Sequence, residues 1–354
     1  MRFGIVGTRT SSPCGLARFT AGLEGALSGG GSCVRRVGDG PPPYGDLDVV
    51  IMQHHDGTTG EDVTDMGEGL RVPVIVVVHI IPKDPTSQQR SSLEGIAAAA
   101  DQVVVMSEAA RRRLYLTYAV DRRKVTTIPH GATLPMIPQV KRPSRPVILT
   151  FGLLRPGKGI ERVIEAMTLL RDVPGRPRYV VAGPMDPRIS VTEADAYRNG
   201  RIDQARNAGV ADSVSFDSRY FVSSALCELI QQASVIVLPF DSAEQVSSGV
   251  LVDAFANGRP IVATAFPHAV ELLGTGAGLV VAHDDPTALA AALRQILTQP
   301  RLAGSMAAEV RGRAAEVGWP VVAAAYRALA QRLIAETPRA DKRLRGAETT
   351  GLPD

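Results

Sequence analysis

The sequence predicts an α/β protein made of two Rossmann-like, doubly wound parallel-sheet domains facing a central cleft. Three observations carry that expectation. First, 354 residues exceed one ordinary core and suit two domains. Second, short β-branched runs alternate with Ala/Leu-rich stretches of helical period, the rhythm of parallel α/β layers. Third, several strand candidates are continuous apolar runs, as required where helices cover both faces of a sheet.

In the first half, strands are expected at Arg2–Val6, Asp48–Met52, Val74–His79, Gln102–Met106 and Val125–Ile128. Helices are expected at Leu16–Leu27, Arg90–Ala99 and Glu108–Tyr118. Pro138–Pro146, PQVKRPSRP, is aperiodic and reads as a linker. The rhythm then restarts, with strands at Val147–Phe151, Arg178–Ala182, Ser213–Phe216, Ser234–Leu238, Ile261–Ala263 and Gly278–Val281. Helices are expected at Ile160–Leu170, Ser223–Gln232, Gly249–Asn257, Pro286–Leu297 and Arg301–Ala315, with a last amphipathic helix over Pro320–Ala335. The domain reading is 1–142, 143–320, a helix at 321–336 packing back towards the first domain, and a charged tail at 337–354. Trp319 is expected to anchor that last helix.

Composition excludes several classes. The formal charge of +3 gives no footprint for nucleic acid. Cys14, Cys33 and Cys227 form neither a disulfide framework nor a zinc motif. No apolar run reaches the ~18–20 residues of a membrane span. The start, MRFGIVG, is strand-like and lacks a signal-peptide pattern. A cytoplasmic setting is therefore expected, with peripheral membrane contact left open.

Chemistry is expected first at Phe151-Gly-Leu-Leu-Arg-Pro-Gly-Lys-Gly159, between a strand and a helix. Gly152 and its fellow glycines allow a tight turn, and Arg155 and Lys158 stand at a helix entrance, which itself favours anions. A diphosphate site and a solvated basic turn are both compatible with this pattern. The second segment is Glu244-Gln-Val-Ser-Ser-Gly-Val-Leu-Val-Asp253. Ser247, Ser248, Gly249 and Val250 lie where N–H groups open a helix, and Asp253 is about one turn further in. Asp46 and Asp48 form a D-x-D string that runs straight into a strand, so no metal is expected there.

These two segments together resemble the C-terminal half of the family 4, retaining, GT-B glycosyltransferases. That family carries a Gly-Arg…Lys-Gly turn and a Glu-x7-Glu motif. Cys14-Gly15, Gln53-His54-His55, His79, Val105-Met106-Ser107-Glu108 and Ile128-Pro129-His130-Gly131 resemble its recurrent N-terminal stretches. The resemblance implies a nucleotide-diphosphate sugar (GDP- or UDP-linked) as co-substrate, no separate cofactor, no metal, and hexosyl transfer to a small-molecule, lipid or saccharide acceptor. It implies that Lys158, with Arg155 in place of the usual arginine (here Leu153), binds the diphosphate. Asp253 takes the ribose-binding position, and Gln245, beside Glu244, takes the place of the sugar-binding glutamate. Gly15 and Gly152 fall among the donor contacts, and His79 lies beside the sugar ring. Arg9, Gln53, His54 and His55 are acceptor-side candidates.

Two enzyme rivals and one non-enzyme share the scaffold. A nucleotide-sugar epimerase needs positioned acids and bases, and no such set stands out. A dehydrogenase lacks its GxGxxG after the first strand, where Gly-Thr-Arg-Thr-Ser-Ser-Pro stands. A sugar-nucleotide-binding protein without turnover would explain Leu153 and Gln245.

Overall fold

A computed structural model describes residues 1–6, 15–37, 47–54, 72–135 and 143–336. Arg9, Cys14, His55, the linker core and the tail lie outside the described residues.

Among these residues the chain forms two six-stranded sheets, parallel throughout. The first contains β1 (Arg2–Val6), β2 (Cys33–Val37), β3 (Val49–His54), β4 (Val74–Val78), β5 (Gln102–Val105) and β6 (Val125–Thr127), in the order β2-β1-β3-β4-β5-β6. The second contains β7 (Val147–Phe151), β8 (Arg178–Ala182), β9 (Val214–Asp217), β10 (Val235–Leu238), β11 (Ile261–Thr264) and β12 (Gly278–Val281), in the order β12-β11-β10-β7-β8-β9. Strand order reverses between β1 and β3 in the first sheet and between β7 and β10 in the second. At such reversals adjacent connections leave on opposite faces and open a crevice at the strands' carboxyl ends.

The first-half helices are α1 (Gly15–Gly29), α2 (Ser87–Ala99) and α3 (Glu108–Thr117). The second half carries α4 (Ile160–Thr168), α5 (Val191–Asn207), α6 (Ser223–Gln232), α7 (Gly249–Ala256), α8 (Pro267–Leu273), α9 (Pro286–Thr298) and α10 (Pro300–Arg313). The last helix is α11 (Trp319–Glu336). Central strands such as β4, VIVVV, are buried at every residue, which is the continuous apolar pattern read from the sequence. β2, α5 and α8 were not expected from the sequence.

α11 joins the first half's core. Its Val322, Tyr326 and Leu333 pack with Phe3, Phe19 and Leu23. Trp319 opens this helix between two backbones. A Cβ on Gly22 or on Gly131 would stand 2.2 or 2.1 Å from its indole, so only glycine admits the ring at either place. No helix among the described residues is long and apolar enough to cross a membrane.

Candidate active site

The β7–α4 turn lies at the switch point of the second sheet. Gly159 precedes α4 with φ +64°, and a Cβ there would fall 1.7 Å from the carbonyl oxygen of Pro239. The turn is therefore pressed against the end of β10, and the side chain before it is aimed by that contact. Lys158 Nζ sits 4.2 Å from the centroid of the Phe240 ring. Cation–π contact suits an ammonium that has lost part of its water.

The other half of this turn pairs with the segment after β8. Leu154 N–H donates to Pro184 O, and Asp186 N–H donates to Leu154 O. That exchange brings Asp186 and Arg188 beside Arg155. The Asp186 carboxylate accepts from Arg188 Nη2 at 2.7 Å and lies 3.6 Å from Arg155 Nε. Hydrogen bonding to Arg188 holds Asp186 below the usual carboxylate range, against the opposing effect of burial. Arg155 and Arg188 thus share one carboxylate, whose charge also acts on Lys158. Burial first, then Arg155, pushes Lys158 down to about 8. An incoming anion would oppose this downward shift through its charge.

Arg155, Lys158 and Arg188 line a cavity of about 190 Å³, together with Gly152, Val250, Tyr220 and Phe221. Gly15 and Arg18 of α1 complete its wall, so both halves of the chain contribute. One part of the lining is cationic and another aromatic. A charged group and a flat apolar one can both be accommodated.

The segment from Glu244 to Ser248 is held from both sides. Val246 is buried in the first half's core, and its carbonyl accepts from Ser107 Oγ at 2.5 Å. The Glu244 carbonyl accepts from Arg113, while the Glu244 side chain is exposed. Gln245 Nε2 turns back onto Ser247 O at 3.0 Å. Ser248 caps α7 by accepting from Leu251 N–H at 3.2 Å.

One expectation for this segment needs correction. The four N–H groups from Ser247 to Val250 do not form one free set. Ser248 N–H donates to His268 Nδ1 at 2.9 Å, which turns it away from the cavity. Gly249 and Val250, the first two residues of α7, keep N–H groups that no described group accepts, and Val250 lines the cavity. Across the cleft, Arg18 of α1 is paired with Asp253 at 2.9 Å. Burial pushes the Asp253 carboxyl up, and Arg18 opposes that shift.

On the first-half side, Gln53, the last residue but one of β3, lies beside His79, which follows β4. Gln53 Oε1 lies 2.5 Å from His79 Nε2, while the buried Gln53 Nε2 has no hydrogen-bond partner among the described residues. The Phe19 ring meets His79, His130 and Trp319 edge-on at 5.0, 5.1 and 5.5 Å. His54 is buried at the end of β3. His130 lies against Gly249, whose added Cβ would stand 2.8 Å from its Nε2. Burial pushes His130 and His268 each down to about 4, so both are neutral at physiological pH.

Sequence reasoning did not find Asp186, Arg188, Phe240 or His268. The signal for the first two was Gly183-Pro184 at the end of an apolar strand, a turn at a carboxyl edge. Among the described residues no group of three or more His, Cys, Asp or Glu side chains is arranged to hold a metal.

Residues 145–299 match the family described as glycosyl transferases group 1. The chain is 29% identical over 269 residues to a D-inositol 3-phosphate glycosyltransferase of Kineococcus radiotolerans, covering 68% of this chain and 60% of that protein. It is 25% identical over 345 residues to the enzyme of that name from Frankia alni, covering 89% and 78%. Among solved structures it superimposes on sucrose-phosphate synthase from Thermosynechococcus elongatus with a TM-score of 0.75 at 19% identity, covering 95% of this chain and 99% of that one. Anabaena HepE in complex with UDP gives 0.74 at 14%, covering 94% and 100%. Both GT-B neighbours share the two-sheet architecture. Over residues 145–299 the chain resembles the group 1 glycosyltransferases, and it has the fold of its GT-B neighbours.

Proposed function

We propose that this protein moves a hexosyl group from a nucleoside-diphosphate sugar to a phosphorylated polyol, with retention of anomeric configuration and without a metal ion. The observation that carries the reading is the cluster of Arg155, Lys158 and Arg188 at the switch point of the second sheet, in a cavity that the first half closes.

In this reading Lys158 and Arg155 hold the diphosphate, aided by the Gly249 and Val250 N–H groups at the start of α7. These fixed positive groups stabilise the leaving diphosphate as its charge develops, in place of a cation. Asp253 accepts from the ribose hydroxyls once Arg18 yields it. Gln245 and Glu244 meet the sugar hydroxyls, and His79 lies beside the ring. The glycosidic C–O bond to phosphate breaks, leaving an oxocarbenium-like sugar. The acceptor hydroxyl attacks from the same face and passes its proton to a departing phosphate oxygen. No enzymic nucleophile enters in this reading, so no glycosidase-like pair of carboxylates is required.

The acceptor class rests on the name shared by the relatives, D-inositol 3-phosphate glycosyltransferase. A UDP-linked hexose is the first donor to test, because HepE structures hold UDP and UDP-glucose; a GDP-linked one is the second. The test incubates the protein with each donor, with and without a polyol phosphate, in the presence of EDTA. Released nucleoside diphosphate is measured, and the product's anomeric coupling is read by NMR. Glycosylated polyol phosphate with the donor's configuration supports the proposal. An isomerised sugar nucleotide formed without acceptor would make the protein an epimerase, and tight nucleotide binding with no product would make it a binding protein.

A further inference from the structure

Helix α8 touches both halves of the cleft through side chains one turn apart. At its start, His268 Nδ1 accepts from Ser248 N–H at 2.9 Å, and His268 N–H donates to Gln245 O at 3.3 Å. These two bonds fix the backbone of the segment that leads into α7. Three residues on, Glu271 reaches across to the first half. Its Oε1 accepts from Glu108 N–H at 2.9 Å, and its Oε2 accepts from Ala109 N–H at 2.7 Å.

Those two N–H groups open α3 and have no partner within their own helix. A helix entrance carries partial positive charge, and a carboxylate bound through both oxygens is a charge-assisted, directional contact. Ser107, the residue that caps α3, donates its hydroxyl to Val246 O in the same segment that His268 holds. The α3 entrance, the 244–248 segment and α8 therefore form a closed circuit of hydrogen bonds. His268 is neutral and buried, which fits an imidazole whose Nδ1 is a permanent acceptor.

We infer that Glu271 is a positioning residue that couples the second half's donor segment to the first half, setting the closed geometry of the cleft through α8. The inference rests on the transferase reading, and it adds a part that touches no substrate. Its loss should leave nucleotide binding to the second half intact while loosening the approach of acceptor to donor. Water would then compete with the acceptor for the sugar.

The experiment compares wild type with Glu271→Gln and Glu271→Ala. Three quantities are read: nucleoside-diphosphate affinity by calorimetry, kcat for transfer against donor hydrolysis, and amide exchange at Glu108 and Ala109. The Gln variant keeps the side chain's shape, so it reports even if the Ala variant folds poorly. The expected result is affinity within about twofold of wild type, kcat for transfer down about tenfold, and a raised share of hydrolysis. Exchange at the two amides should quicken while α7 amides keep their protection. Wild-type transfer, hydrolysis and exchange in Glu271→Gln would overturn the inference, as would loss of affinity in step with kcat. If wild type itself binds no nucleotide, the transferase reading fails instead.

Discussion

Arg18 Nη2 of α1 lies 2.9 Å from Asp253 Oδ2 of α7, an ion pair that joins the two halves at the wall of the cleft. Asp253 is buried, while about a third of the Arg18 side chain is exposed. Breaking a buried pair leaves an uncompensated charge, and partial exposure of Arg18 reduces the cost. Burial raises the Asp253 carboxyl, and Arg18 restrains the rise. Arg18→Met removes that restraint. A carboxyl raised above its unfolded value favours the folded state below that value and ceases to do so as pH rises through the folded one. Arg18→Met should therefore lose about 1–3 kcal/mol at pH 7 and noticeably less near pH 4. Thermal melts of both proteins across that range check it. A deficit that does not shrink on acidification would contradict the burial argument.

Lys158 predicts a pH signature for donor binding. Held at about 8 in the free protein, it loses its charge just above neutrality, whereas a bound diphosphate would keep it protonated. The diphosphate is already ionised in this range. Affinity should be level below pH 8 and fall by about tenfold per pH unit above it, with proton uptake on binding. Calorimetry at pH 7 and pH 9 in buffers of different ionisation enthalpy measures both. Lys158→Ala should bind weakly and show a flat profile.

Gly159→Ala tests how the turn is aimed. The left-handed backbone and the 1.7 Å approach of its would-be Cβ to Pro239 O leave no room for a methyl group. The substitution should cost at least about 2 kcal/mol and weaken nucleotide binding by displacing Lys158. Gly157→Ala is the informative companion. Its φ is +87°, yet nothing stands within 4 Å of an added Cβ, so it should cost less.

Gln53 should matter more to turnover than to stability. Its Oε1 meets His79, while its buried Nε2 is unpaired among the described residues. An apolar replacement removes an unsatisfied group along with one hydrogen bond, so the two effects offset. Gln53→Met should stay within about 1 kcal/mol of wild type in stability while kcat falls. Wild-type kcat in this variant would show that His79 needs no help from Gln53 to hold its place.

Strands were legible where a short apolar, β-branched run is bounded by turn residues. β1, β7, β8 and β12 match their sequence reading to the residue because apolar runs end at Gly or Pro-containing turns. α5 escaped because its buried residues are only Ala194 and Ala205, which leave no apolar stripe to find. Its readable signal was the Ser190–Glu193 capping box. β2 is an edge strand carrying Arg35 and Arg36, so its alternation is faint. At the site, Arg155 and Lys158 could be named because strand, turn and helix follow one another in the chain. Arg188 could not, because the Leu154–Met185 bridge places it there. Arg18 and Glu271 act across the cleft, and no local pattern records a partner more than 150 residues away.

The central claim is that Lys158 and its neighbours hold a nucleoside diphosphate, and calorimetric titration tests it directly. UDP and GDP are titrated into wild type and Lys158→Ala, with EDTA present throughout. The account predicts that one nucleotide binds wild type in EDTA and that Lys158→Ala loses at least about tenfold in affinity, or 1.4 kcal/mol. Absence of binding by either nucleotide, or equal binding by both proteins, would contradict it.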